Sequence, residues 1–187
     1  MSASPGRVGT WGFLLVAGVA GALLAWHFHG GDARDERARA EAERQQALAD
    51  APEWYREGEQ VYSNQCAACH SPDGHGAGRN FPPLAGHIPE LLAAEGGREY
   101  LIDVMLYGIG GEIRVLGETY RGQMPGFGRI SDAEIAAMLN YIAHAWGNEE
   151  ALPENFPRYE AGEVGERRDQ GLRPRQMNDR RPQLDPP

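Results

Sequence analysis

Two thiols and an imidazole are gathered within five residues at Cys66-Ala67-Ala68-Cys69-His70. Cysteines three positions apart project from the same side of a helical turn, so both thiols can reach the two vinyl groups along one porphyrin edge as thioethers. The adjoining His70 then falls under the ring, where its imidazole binds iron. A thioredoxin-like dithiol needs a strand-to-helix setting and has no use for the trailing histidine. A zinc site wants two further ligands at close spacing, and the chain holds no other cysteine. The motif therefore points to one haem c, covalent through Cys66 and Cys69.

Iron held on one face by His70 needs a group on the other. The methionines are Met1, Met105, Met124, Met138 and Met177. Met105 shares apolar helical spacing with Leu101 and Ile102, and Met138 with Ile135 and Leu139, so both read as core. Met124 lies instead in Gly122-Gln123-Met124-Pro125-Gly126-Phe127, where flanking glycine and proline fix a thioether pointing inward. It is the expected sixth ligand. His75, His87 and His144 are the alternatives, each expected at the surface or the haem edge.

The elements that must position these groups follow from periodicity. Asp50 is a candidate cap, Pro52 and Glu53 suit a first turn, and Trp54, Gly58, Val61 and Tyr62 share one helical face running into the cysteine motif. Ser131-Asp132-Ala133-Glu134 is a capping box that opens a helix with inner face Ile135, Met138, Leu139, Ile142 and Trp146. Between them lie shorter helical candidates, Pro89 to Glu95 and Arg98 to Tyr107. Gly108 to Gly128 then reads as loop or short hairpin.

With these features residues 52 to 149 resemble the small single-haem c-type cytochromes. The resemblance is carried by Gly58-x-x-x-Tyr62, Cys66-Ala-Ala-Cys69-His70, Asn80-Phe-Pro-Pro-Leu84, Met124-Pro125 and Tyr141. It implies an all-α cytochrome c fold, three to five helices around one haem, with Gly58 and Tyr62 crossing Met138 and Tyr141. It also implies that a carbonyl of the Pro82-Pro83 segment accepts the His70 Nδ1 proton, so Pro82 and Pro83 join the cofactor site. Val115 to Tyr120, Ile130 to Glu134 and Tyr141 to Asn148 look like cytochrome domains that accompany periplasmic dehydrogenases and haem-copper oxidases. The expected role is electron transfer between a redox-protein donor and acceptor, not catalysis. A haem enzyme or gas sensor with a labile sixth ligand is the rival, and a structural subunit a third reading. The resemblance departs in charge, since mitochondrial members ring the haem edge with lysine and this chain has none.

The rest of the 187 residues divides around that domain. Residues 1–7 precede a charge-free run at 8–30 bounded by Trp11 and Trp26, long enough to cross a bilayer at about 20 residues. The apolar run continues past the small-residue site Ala20-Gly21-Ala22, so an uncleaved anchor is expected rather than a signal peptide. Small residues that include Gly18 and Ala22 share one face of that anchor, a candidate contact with membrane-complex subunits. Residues 31–50, with Asp35/Arg39, Arg37/Glu41 and Arg39/Glu43 four apart, read as a charged helical stalk or a flexible linker. Residues 151–187 carry seven acids and seven arginines, with either two short helices, Glu160 to Asp169 and Arg173 to Arg181, or no fixed structure.

Net charge is −9, with 27 acidic residues against 18 basic, all of them arginine, which leaves phosphate-driven nucleic-acid binding without support. Residues 51–150 hold 14 acids and six arginines, so a basic partner, or one held nearby by the anchor, is expected. Arg79, Arg114 and Arg121 are candidates to pair with haem propionates. Arginine counts around the anchor, Arg7 before it and Arg34, Arg37, Arg39 and Arg44 after it, favour a stalk inside the cell. Bacterial haem attachment of this kind takes place outside the cytoplasmic membrane, so the resemblance implies a single-pass inner-membrane protein with its haem domain in the periplasm.

Overall fold

A computed structural model describes residues 33–181, which fall into two units divided after Asp50. The expected anchor at 8–30, with Trp11, Trp26 and the Gly18/Ala22 face, lies outside the described residues. Among the described residues no helix is long and apolar enough to cross a membrane. Residues 33–50 form a helix (α1) with nearly every side chain exposed. Its ladder includes Gln45 donating to Glu41 at 3.2 Å and Gln46 to Asp50 at 3.0 Å. At about 1.5 Å per residue this helix is about 27 Å long.

The second unit begins with α2 (Glu53–Gln65) and the single turn α3 (Ala67–His70). It continues through α4 (His87–Ala93) and α5 (Gly97–Tyr107) into strands β1 (Ile109–Val115) and β2 (Glu118–Met124). Helix α6 (Asp132–His144) and a 3-10 turn at Ala145–Ala151 follow. The C-terminal region adds α7 (Ala161–Gly165), a turn at Arg168–Gln170 and α8 (Pro174–Arg180).

The all-α expectation therefore needs correcting. Gly108 to Gly128 contains an antiparallel ribbon in which Ile109 pairs with Met124 and Val115 with Glu118. β-Branched and aromatic residues at Ile109, Ile113, Val115, Thr119 and Tyr120 favour strands despite the glycines between them. Leu116 and Gly117, at φ 49° and 81°, make the two-residue turn that matches strand twist. The helix count also exceeds three to five, because α3 is one turn and α7 and α8 come from the C-terminal region; α2, α4, α5 and α6 form the frame.

That frame is held by α2 crossing α6. A Cβ on Gly58 would overlap the Ala137 carbonyl oxygen and stand 2.6 Å from Tyr141 Cβ, so only glycine allows this approach. Tyr141 is at the crossing as expected, Ala137 is a further neighbour of Gly58 there, and Met138 is 1% exposed in the same core cluster as Tyr62 and Tyr141. The Ser131 box forms: Glu134 N–H donates to Ser131 Oγ at 3.2 Å and Ser131 N–H to Glu134 Oε2 at 2.8 Å. Two terminal details differ. Pro52, not Asp50, occupies the cap position of α2. Trp146 lies beyond α6, at φ 58°, instead of on its inner face.

Residues 151–181 pack on the same unit. Tyr159, Val164 and Met177 are buried with the core. Asn140 of α6 donates from Nδ2 to the Tyr159 carbonyl at 3.0 Å and accepts the Tyr159 N–H at 2.7 Å. Asp103, fully buried on α5, is held by Arg167 at 2.7 Å and by Arg180. A buried carboxylate is stable only when paired in this way. The second helical candidate of this region stands at Pro174–Arg180, and the first is reduced to five residues.

Candidate cofactor site

The cysteine motif lies where α2 gives way to α3, and the loop 71–86 folds back beneath it. Tyr62 of α2 donates its hydroxyl to the Ser71 carbonyl at 2.6 Å, and Gly76 N–H donates to the His70 carbonyl at 2.9 Å. Leu84 and Ala85 donate their N–H groups to the Gly74 carbonyl at 2.7 and 3.1 Å. Asn148, 2% exposed, ties this loop to α6: its Oδ1 accepts from Gly86 N–H at 2.7 Å and its Nδ2 donates to the Ile142 carbonyl at 2.7 Å.

The loop places Pro82 where the resemblance requires it. His70 Nδ1 donates to the Pro82 carbonyl at 2.9 Å, which leaves Nε2 as the metal-binding nitrogen. Burial lowers the His70 pKa, with the Pro82 bond opposing, so the ring is biased toward the neutral form that a metal needs. Cys66 is buried and its thiol is pushed up to about 12 by desolvation, whereas Cys69 is exposed. Tyr62 is likewise raised, first by burial and then by the nearby Cys66.

Cys66, Cys69, His70, Pro82 and Met124 line one cleft of about 330 Å³, within the range of roughly 300–1,000 Å³ usual for cofactor sites. Pro83 does not line it. Ile109, Ile113, Pro125 and Phe127 supply apolar wall. This donor set fits haem: two thiols and an imidazole from one turn, a thioether on the same cleft, and apolar wall from Ile109, Ile113, Pro125 and Phe127.

Met124 is set at the end of β2, opposite Ile109, and Phe127 N–H donates to the Met105 carbonyl at 2.7 Å just beyond it. Met105 and Met138 are buried in the core, as their spacing implies. The alternative histidines are placed elsewhere. His75 is exposed, His144 bonds to the Asn140 carbonyl at 2.8 Å, and His87 is buried between Glu90 and Arg181. A surface or haem-edge position for His87 is thus corrected, because the C-terminal region covers it.

The arginines are also redistributed. Arg79, Arg114 and Arg121 do not line the cleft, and Arg121 pairs with Glu112 at 2.6 Å. Among the described residues the one charged side chain lining it is Arg129, which donates to Gln65 Oε1 at 3.0 Å. Sequence reasoning missed Arg129; its place two residues after Phe127, in the loop that carries Met124, was the available signal. The amides Asn64, Gln65, Asn80 and Gln123 complete a lining without carboxylates. The acidic excess of residues 51–150 therefore lies away from the cleft wall.

Residues 55–146 match the family model described as cytochrome c. Cytochrome c-552 of Thermus thermophilus is 49% identical over 121 residues, which is 65% of this chain and 91% of that protein. The cytochrome c subunit of the quinone-dependent alcohol dehydrogenase of Gluconobacter oxydans is 36% identical over 96 residues, 49% of this chain but 18% of that subunit. The cytochrome c subunit of gluconate 2-dehydrogenase from Pantoea cypripedii is 36% identical over 92 residues, covering 20% of that subunit.

Proposed function

Because the chain belongs to the cytochrome c family, we propose that it is a membrane-tethered carrier whose haem domain faces the periplasm and serves a respiratory or dehydrogenase chain. It is an electron carrier and not an enzyme, with a covalently bound haem c at Cys66 and Cys69. When bound, the haem supplies a one-electron couple between ferric and ferrous iron. The rest is the work of this chain. Cys66 and Cys69 would carry the thioether bonds, His70 and Met124 would hold the iron, and Pro82 holds the His70 ring in one tautomer. With His70 and Met124 as its ligands the iron would be biased toward the reduced state by the neutral thioether, and the apolar wall of Ile109, Ile113 and Phe127 would act in the same direction.

The observation that carries the reading is Met124 on the same cleft as His70. Tethering rests on the charge-free run 8–30, and the periplasmic side on where such haem is attached. Support for a dehydrogenase chain comes from the relatives that are cytochrome c subunits of alcohol and gluconate dehydrogenases. Absorption spectra of the oxidised and reduced protein, with and without carbon monoxide, test the carrier role. A carrier shows a clean one-electron change and a reduced spectrum unmoved by carbon monoxide. Rapid carbon monoxide binding would indicate an open iron site and a sensor or enzyme. Co-purification in mild detergent tests the tether and its partners.

A further inference from the structure

The ribbon that carries Met124 has only two strands, and such a ribbon is marginal by itself. Its outer edge is not left to water. Asn178 of α8 donates from Nδ2 to the Gly110 carbonyl at 2.9 Å and to the Glu112 carbonyl at 3.0 Å. Arg181, just past α8, donates from Nη2 to the Arg114 carbonyl at 2.9 Å. Alternate carbonyls of a strand face the same edge. Residues 110, 112 and 114 are therefore three successive acceptors on the side of β1 away from β2, and two side chains take all three.

The backbone makes room for this clip. Gly111 sits at φ 111°, and a Cβ there would stand 2.7 Å from Asn178 Nδ2. Helix α8 is itself fastened to the frame: Arg180 pairs with the fully buried Asp103 of α5, and Met177 is fully buried. Arg181 also donates to His87 Nε2 at 2.7 Å. A guanidinium has only donors, so His87 Nε2 accepts and its Nδ1–H donates to Glu90 Oε2 at 3.1 Å. The ribbon is thus tied through α8 to α4 and α5.

We propose that Asn178 and Arg181 are positioning residues for Met124: by holding the outer edge of β1 they keep the ribbon closed over the cleft, so that the Met124 thioether stays on iron. The proposal rests on the reading of Met124 as sixth ligand. Ile109, Ile113 and Met124 all reach the cleft from this ribbon, with Ile109 and Met124 paired in register, so a splayed ribbon withdraws ligand and wall together.

The test uses the full haem-loaded chain well below its melting temperature. Its variants are Asn178→Ala, Asn178→Gln, Gly111→Ala, Arg98→Gln and Met124→Ala. Arg98→Gln cuts a different fastening of the same C-terminal region, to the Pro157 carbonyl and Glu163, away from the ribbon. The readouts are the sulfur-to-iron charge-transfer band of the oxidised protein and the rate of carbon monoxide binding to the reduced one. Asn178→Ala and Gly111→Ala should weaken the band and speed carbon monoxide binding about tenfold, the scale of losing one or two hydrogen bonds. Asn178→Gln should restore part of both, and Arg98→Gln should leave both unchanged. An unchanged band and rate in Asn178→Ala and Gly111→Ala, with only a lower melting temperature, would reduce α8 to a structural brace and overturn the proposal. Survival of the band in Met124→Ala would overturn the ligand reading itself and is a distinct result.

Discussion

Gly58 of α2 and Ala137 of α6 meet backbone to backbone: the space a Cβ would need at Gly58 is filled by the Ala137 carbonyl oxygen. This contact sets the angle at which the helix leading to the cysteine motif leaves the last frame helix. Neither backbone can yield without moving Tyr62 and Tyr141, whose rings pack with centroids 5.4 Å apart. Gly58→Ala should cost about 3 kcal/mol, at the upper end for overpacking a tight site. Denaturant unfolding of the haem-loaded protein checks this, and a loss within error of zero would show that the helices slide apart freely.

Leu116 is held at φ 49° at the ribbon tip and is 48% exposed, so it gains little packing to offset a left-handed backbone. Leu116→Asn suits that turn position and should stabilise the protein by about 1 kcal/mol. The readout is the melting temperature, expected to rise with the haem spectrum unchanged.

Arg98 grips the C-terminal region through Glu163 at 2.8 Å, and its hydrogen bond is the largest cause lowering the Glu163 pKa from 4.5. A carboxylate with a depressed folded pKa contributes stability that is present above the ordinary value and lost as pH falls through the folded one. The pair is partly exposed, so its share is below about 1 kcal/mol. Urea midpoints measured from about pH 6 down to about pH 3 should fall less steeply in Glu163→Gln than in the parent. Equal slopes would mean that the pair contributes nothing.

The fold around the haem was legible where the signal is local. The cysteine motif and the Ser131 box are each contained in a few consecutive residues, and each sits where those residues imply, whereas Met124, read as a loop residue, closes strand β2. The ribbon was readable only as loop or hairpin, since Gly110, Gly111, Gly117 and Gly122 dilute the strand pattern. What escaped depends on distant partners. Arg129 reaches Gln65 across 64 positions, and Asn178 reaches Gly110 across 68. His87 was expected at the surface or the haem edge because its cover, Arg181, lies 94 residues away. Such pairs leave no trace in local spacing.

Removing the haem should unsettle the domain as well as silence it. Cys66 belongs to the core cluster, and Ile109 and Phe127 face both that cluster and the cleft. Cys66→Ala with Cys69→Ala should give a protease-sensitive second unit, because a domain of this size has little apolar core to spare. Limited proteolysis and a thermal scan are the measurements. A sharp cooperative transition in the haem-free protein would show that the helices support themselves.

The central claim is that one haem is held between His70 and Met124, and the oxidised spectrum of Met124→Ala tests it most directly. The parent should show a sulfur-to-iron charge-transfer band. The variant should lose it, keep its covalent haem and bind carbon monoxide when reduced. Persistence of that band in Met124→Ala, with the haem still attached, would contradict the account and place another methionine on the iron.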